Sequence, residues 1–507
     1  MMKAILALSS LIILSVGDGA YGDIESRSPH TYSQEHDPLA SASPLREIED
    51  QEEAIREDPE ESFSLTLEEA INLTLQKNRS LLNSVDNITS SHYSLVSAES
   101  DYELKIEPAG SASIYGGSGE DGSDIENFAI GISQKFITGT LVEIIPSINR
   151  DYEGDENYET GIGAYLTQPL LKGLSIEYNL SGIKSAEYGE RTSMRSLYLS
   201  KVSMMIRTVQ NVYNIIRLEE VLRLNTQASY RLQGYAEAAR VKEKIGLASP
   251  IDVYRAELSL NQAIDRLNIA RETYQDALDN LKLLMAMPME IGLEVTAPMG
   301  YKLIELGSRK AIEIAFNNRL EINQAEDNVS ESKRLSRVAK HNILPELNLE
   351  LNYRRYGEDE DFDKSMNFDQ ERWGVGFVAS GDVWRTAEKA QYQQSLLSVR
   401  EVQRSLAQTL DEIQREVQME LRNLQKYANS IEIQKKQIHD AEGKLELSKI
   451  KFSHSLADNF DLIESENELL EAQSRLLGAV TNYIVGTYRL KAILGTLLEK
   501  PQEWNAS

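Results

Sequence analysis

Residues 252–282, DVYRAELSLNQAIDRLNIARETYQDALDNLK, are written a second time at residues 461–491, DLIESENELLEAQSRLLGAVTNYIVGTYRLK. With no gap the copies align Asp252 with Asp461, Glu257 with Glu466, Ala263 with Ala472, Arg266 with Arg475, Leu267 with Leu476, Ala270 with Ala479, Tyr274 with Tyr483, Leu281 with Leu490 and Lys282 with Lys491. Upstream, Glu69-Ala70-Ile71-Asn72-Leu73 returns as Lys310-Ala311-Ile312-Glu313-Ile314. A match of this length on one diagonal marks a duplicated unit, each half reading helix, strands, long helix, helix. The halves are residues 63–300 and 301–498, followed by a short tail over 499–507.

Inside the repeated segment, Ala263, Leu267, Ala270, Tyr274, Ala277, Leu281 and Leu284 step alternately by four and three. Ala472, Leu476, Ala479, Tyr483, Gly486, Leu490 and Ile493 repeat the rhythm, which is that of helices packed side by side. The partner stretches, from about 183 to 244 and from about 383 to 452, hold no proline and only isolated glycines. As helices they would extend roughly 90 to 105 Å. The helix from Thr66 to about 105 and its counterpart from about 304 to 342 are shorter. Added to the helix after each turn they make ~78 residues, or ~117 Å, enough to lie end to end beside the long one.

Strands separate these helices. Leu347, Leu349, Leu351 and Tyr353 alternate with Asn348, Glu350 and Asn352, and Trp373, Val375 and Phe377 share one face of a second run. Phe128, Ile130 and Ile132 alternate with small residues, and Tyr158, Thr160, Ile162, Ala164 and Leu166 form a comparable run. The first half has room for four strands, near Ser111, Phe128, Leu141 and Tyr158. One apolar and one polar face fits barrel strands between lipid and lumen, and equally fits a half-buried antiparallel sheet. The acidic run over 358–363 reads as a solvated loop.

Composition sets limits. Met1-Met2-Lys3, the apolar run from Ala4 to Val16, and the small residues Ala20 and Gly22 read as a secretory signal over 1–22. Residues 23–62 read as an acidic, disordered lead-in. No later run approaches the ~20 apolar residues of a transmembrane helix, so a membrane location requires a barrel. Absence of cysteine removes disulfides, thiol catalysis and Cys-based metal sites. A net charge of −27 argues against nucleic acid as a partner. Six scattered histidines, no Gly-rich phosphate loop and no nucleophile motif leave nothing from which to build an enzyme, a cofactor site or a metal site.

At this point the chain resembles the TolC family of outer-membrane efflux and secretion channels, over residues 64–498. The resemblance is carried by Leu67-Glu68-Glu69-Ala70-Ile71 with Asn78-Arg79-Ser80-Leu81, by Thr167-Gln168-Pro169-Leu170-Leu171, by Ile245-Gly246-Leu247-Ala248-Ser249-Pro250-Ile251-Asp252-Val253, and by the duplication. It implies a mixed, mainly α fold, in which a homotrimer shares one outer-membrane β-barrel continuous with a long periplasmic α-helical barrel. The implied function is the exit duct of a tripartite efflux or type I secretion system, with a periplasmic adaptor and an inner-membrane transporter as partners. An extended periplasmic coiled-coil scaffold is the alternative. It accounts for the helices but not for alternating strands placed once in each half.

The resemblance also assigns residues. The turns at 246–252 and 455–461 match the periplasmic tip, where Asp461 and Glu464 fall on the family's acidic pore rim and become six carboxylates by trimer symmetry. Read from the residues alone, both are helix-start acids favoured by the dipole. Asp252 matches an acid that helps hold the tip closed, and Phe452 the place of a gating tyrosine. Gly246, Leu247, Ser455 and Leu456 match the adaptor-docking turn, although Gly246 also suits plain helix termination. Ala457 stands where the family has a gate arginine, and Phe452 lacks a hydroxyl. Closure here must therefore use other contacts.

Overall fold

The computed structural model describes residues 62–115, 123–153, 155–454, 456 and 458–501. The signal and lead-in readings, and the side chains of Ser455 and Ala457, lie outside them. In chain order the elements are β1 (Ser62–Thr66), α1 (Leu67–Lys77), α2 (Arg79–Glu99), β2 (Lys105–Tyr115), β3 (Ser123–Lys135), β4 (Leu141–Glu153), β5 (Asp155–Pro169), a short α3 (Ile176–Asn179), α4 (Ser181–Lys244) and α5 (Pro250–Leu284). They continue with β6 (Gly292–Thr296), α6 (Ser308–Asn318), α7 (Leu320–His341), β7 (Glu346–Asp359), a short α8 (Phe362–Ser365), β8 (Gln370–Ser380), α9 (Thr386–Ser453) and α10 (Asn459–Ile493).

The helices stack as their lengths require. Helices α1, α2 and α5 all lie against α4, and α6, α7 and α10 lie against α9, so short helices flank each long one end to end. The four-three stripe is the packing seam: Ala263, Leu267, Ala270, Ala277, Leu281 and Leu284 are buried on α5, and Ala472, Ala479, Tyr483, Gly486 and Leu490 on α10. The 64 residues of α4 and 68 of α9 extend ~96 and ~102 Å at ~1.5 Å per residue. At mid-height Leu65, Leu67, Ala70, Val209, Val212, Tyr213, Leu281, Val295 and Ile484 share one core, which joins both halves.

Two expected helices are broken. The run from Thr66 divides at Asn78, whose backbone is extended and whose Oδ1 accepts from the Ser80 and Leu81 amides, capping α2. Its Nδ2 donates to the Leu284 carbonyl at 2.8 Å, satisfying the C-terminus of α5. The same helix ends at Glu99 and not near residue 105; a 3₁₀ turn over Ser100–Tyr102 follows, the Tyr102 hydroxyl donating to the Asn179 carbonyl at 2.6 Å, and the chain then enters β2. In the second half the helix starts at Ser308, not near 304, and divides at Arg319. There an extended backbone directs the guanidinium to Glu321 and Glu416, each at 2.5 Å. Helix α9 starts at Thr386, after Arg385 in the left-handed region, leaving Val383 and Trp384 outside it.

Two sheets form. Strands β1 and β6 pair in parallel, Phe63 opposite Leu293 and Leu65 opposite Val295, and the sequence reading missed both. The other sheet is antiparallel in the order β2-β3-β4-β5-β7-β8, so four strands of the first half and two of the second form one surface. Between β3 and β4 the register skips from Ala129 opposite Ser147 to Ile132 opposite Ile144. Pro146 occupies the gap and has no amide hydrogen to give. The acidic run is not a simple loop: β7 extends to Asp359, and α8 folds back so that the Ser365 carbonyl accepts from the Thr160 hydroxyl at 2.6 Å.

Candidate functional site

The six-stranded sheet presents two unlike faces. Directly opposed residues of an antiparallel pair point the same way, so the registers define each face. One carries Ile106, Phe128, Ile132, Val142, Ile144, Ile148, Ile162, Ala164, Leu166, Leu349, Leu351, Tyr353, Trp373, Val375 and Phe377, with the row Ile106–Ile132–Ile144–Ala164–Tyr353–Trp373 running from β2 to β8 and others interrupted by Gln134, Thr160 and Gln168. Phe377 is 70% exposed and Trp373 71% among the described residues. The opposite face carries Glu107, Glu143, Asn149, Glu159, Glu350, Asn352, Arg354 and Arg372 among glycines and serines. There the Arg354 guanidinium meets Glu159 at 2.5 Å. Along β4 the apolar rows run from Val142 to Ile148, a rise of ~20 Å. At the outer end they stop at α8 and at the Glu126–Arg150 pair, 3.3 Å apart.

The far ends of α4 and α9 carry the tip. After α4 the Leu247 amide reaches back to the Lys242 carbonyl at 2.7 Å and the Gly246 amide to Glu243 at 2.9 Å, with Gly246 at φ 75°. Glycine is there because this left-handed helix stop disfavours a Cβ. After α9 the Leu456 amide reaches Lys451 at 2.8 Å in the same five-residue pattern. The duplicated turns thus leave Leu247 and Leu456 in equivalent, exposed places, at 64% and 78%.

The acids at the tip divide by role. Asp252 closes a capping box, its Oδ2 accepting from the Ser249 amide at 3.1 Å and hydroxyl at 2.7 Å. Helix α10 is capped by Asp458, which accepts from the Phe460 and Asp461 amides. Asp461 is therefore free of capping duty. Its carboxylate is exposed and has no ion pair among the described residues. Glu464 and Glu468 continue the same exposed helix face, and Lys444 of α9 lies 3.6 Å from the first and 2.8 Å from the second. Hydrogen bonding to Glu468 holds the Lys444 ammonium above its usual range.

Phe452 sits where the two halves touch. The Lys242 ammonium lies 3.5 Å from its ring centroid and donates to its carbonyl at 3.0 Å, joining the last turns of α4 and α9. A second cation–π contact places the Arg255 guanidinium 5.9 Å from the Phe460 ring. Farther in, Glu466 is buried and accepts from Arg231 and from the Tyr235 hydroxyl, each at 2.8 Å, with Lys449 at 3.5 Å. Burial and that carboxylate push the Tyr235 phenol up. Sequence reasoning did not find Lys242 or Glu466. Glu466 was visible only as the partner of Glu257, which is not buried and pairs with Arg240.

No protein-family model and no curated protein sequence matches the chain. Solved structures do. The Campylobacter jejuni CmeC outer membrane channel superposes with a TM-score of 0.69 at 15% identity, over 87% of this chain and 88% of its own. CusC, described for its folding and transmembrane channel formation, gives 0.66 at 12% identity, over 90% and 95%. The open state of the Neisseria gonorrhoeae MtrE outer membrane channel gives 0.65 at 16%, over 85% and 89%. The chain has the fold of the TolC-family outer-membrane channels. In this TolC-type fold the tip is the pair of turns after α4 and α9, and the sheet lies at the other end of those helices.

The Lys242–Phe452 contact should couple the two tip turns. Replacing Lys242 by Gln or Phe452 by Leu should speed amide exchange over 242–252 and 450–462. The double variant should fall short of the summed effects by about 0.5–2 kcal/mol. Strict additivity in a hydrogen-exchange double-mutant cycle would show that the two side chains do not interact.

Proposed function

We propose that the protein is an outer-membrane channel, the exit duct of a tripartite efflux or type I secretion system. The observation that carries this reading is the apolar face of the six-stranded sheet. A face of Trp, Phe, Ile and Val that is partly to largely exposed is ill suited to water as the neighbouring phase, and strands of 11 to 15 residues suit a hydrocarbon layer crossed at a tilt. No described helix is long and apolar enough to cross a membrane, which leaves the sheet to do so. The scaffold alternative gives that face no purpose.

A sheet with free edges at β2 and β8 cannot stay open in lipid, where every backbone amide needs a partner. Pooling copies closes it. As a homotrimer the barrel would have eighteen strands, three times the six per chain, a size that leaves an aqueous channel. The helices would continue that channel into the periplasm, with Asp461 and Glu464 lining the rim of its tip, and Asp252 and Phe452 beside it. Glu464 is partly offset by Lys444, so Asp461 carries the larger share of the rim charge. Gly246, Leu247, Ser455 and Leu456 form the face for a periplasmic adaptor, which couples the duct to an inner-membrane transporter.

The belt is tested by charge. Val375→Arg or Phe377→Arg should cost about 2–4 kcal/mol near the membrane midplane and deplete heat-modifiable protein from outer-membrane fractions, whereas Asn352→Arg on the polar face should not. Equal depletion by all three would remove the support for a lipid-facing side. Purified protein in planar bilayers should show small, cation-preferring conductance that trivalent cations block from the tip side. Asp461→Asn should relieve most of the block and Asp461→Asn with Glu464→Gln all of it; undiminished block would take both residues off the pore. For docking, Leu247→Asp with Leu456→Asp should lower crosslinking to the adaptor while the trimer persists. Unchanged crosslinking would mean that the adaptor binds elsewhere.

A further inference from the structure

A cationic trough lies at mid-height between α4 and α10. It is lined by Arg207, Asn211, Asn214 and Arg217 from α4 and by Thr481, Asn482 and Arg489 from α10, over a floor that includes Gly478 and Val485. Its α4 residues recur at three- and four-residue spacing on the side away from Val209, Val212 and Tyr213, which are buried in the core with Leu65 and Val295 of the two-stranded sheet. From Arg207 to Arg217 the trough follows ten residues of helix, ~15 Å.

Three arginines and no carboxylate line this groove, in a chain whose net charge is −27. Among the described residues Arg207 and Arg217 have no acid within ion-pair distance, and Arg217 donates to the Asn214 Oδ1 at 2.8 Å. Burial works against the Arg217 charge and lowers its pKa. Arg489 is partly engaged, its Nη1 lying 3.8 Å from the buried Glu420 carboxylate. Thr481, 6% exposed, lines the trough, and its buried hydroxyl has no hydrogen-bond partner among the described residues. A buried hydroxyl without a partner is costly, and so are guanidinium groups gathered without counter-charge. Both costs fall together if an oxyanion enters.

We propose that this trough is a binding site for small anionic molecules bearing phosphate or several carboxylate groups. Arg207 and Arg217 supply the charge, planar forks suited to such oxygens, and Asn211, Asn482 and Thr481 supply neutral donors between them. The site does not depend on the channel reading.

The test is calorimetric titration of the full-length protein in detergent at low ionic strength, with inorganic pyrophosphate and with citrate as separate probes. Wild type should bind at least one of them saturably, and added salt should weaken that binding. Arg207→Gln with Arg217→Gln should weaken it by about tenfold or more. Arg217→Lys, which keeps the charge without the fork, should fall between, and Thr481→Val should weaken binding several-fold without lowering the thermal unfolding temperature. Pyrophosphate binding alone would assign phosphate and citrate binding alone carboxylate. Absence of saturable binding to wild type would overturn the proposal, as would equal binding by the double variant. A protein that binds in detergent but does not conduct in bilayers would leave the trough standing and remove the channel reading instead.

Discussion

A six-stranded sheet, apolar on one side and polar on the other, with both edges unpaired, is the constraint on which the rest of this molecule depends. In water its exposed face would drive aggregation and its edges would template it. In lipid the face is at home, but the edges are not, because hydrocarbon offers no partner for a free amide. On the proposed channel reading, closure with further copies of the chain meets both conditions.

The rim is built to transmit that geometry. Tyr102 and Gln134 tie the α2–β2 connection to the start of the long helix and to β3, and Lys172 and Glu346 pair across the junction at 2.8 Å. Hydrogen bonding to Glu346 raises the Lys172 pKa, and the same bond lowers that of Glu346. From there the long helices carry no internal break. The shorter ones are interrupted at Asn78 and Arg319, where each side chain answers backbone or carboxylate groups of a neighbouring helix. A flanking layer made of two pieces can follow the curvature of the long helix without straining one continuous ladder.

At the tip, charge is sorted by local duty. Asp252 and Asp458 are consumed in capping, a role that short acids at a helix start fulfil in any fold. Asp461, one turn on, is left exposed, and Glu464 shares Lys444 with Glu468. The two halves meet through Lys242 on Phe452 and Arg255 on Phe460, cation–π contacts that need no hydroxyl. Behind these contacts, Glu466 gathers Arg231, Tyr235 and Lys449 in a buried cluster. Removing one partner of such a cluster would leave a buried charge uncompensated.

What the sequence by itself determined is whatever repeats along the chain. The duplication, the four-three stripe, the proline-free lengths and the alternating strands are one-dimensional patterns imposed by helix and strand periodicity. They specified the helices, the strands and the apolar side of the sheet before any contact was known. The helix breaks were not legible, because Asn78 and Arg319 act through Leu284 and Glu416, remote in sequence and adjacent only after packing. Nor were β1 and β6, whose five residues each carry too little pattern to stand out. Only tertiary structure decided that four strands of one half and two of the other join one sheet, that Glu466 is buried while its repeat partner Glu257 is not, and that Lys242 lies on Phe452. The reason is that positions aligned by the duplication become unequal once the two halves pack against each other, since burial and partnership belong to the pair and not to the residue.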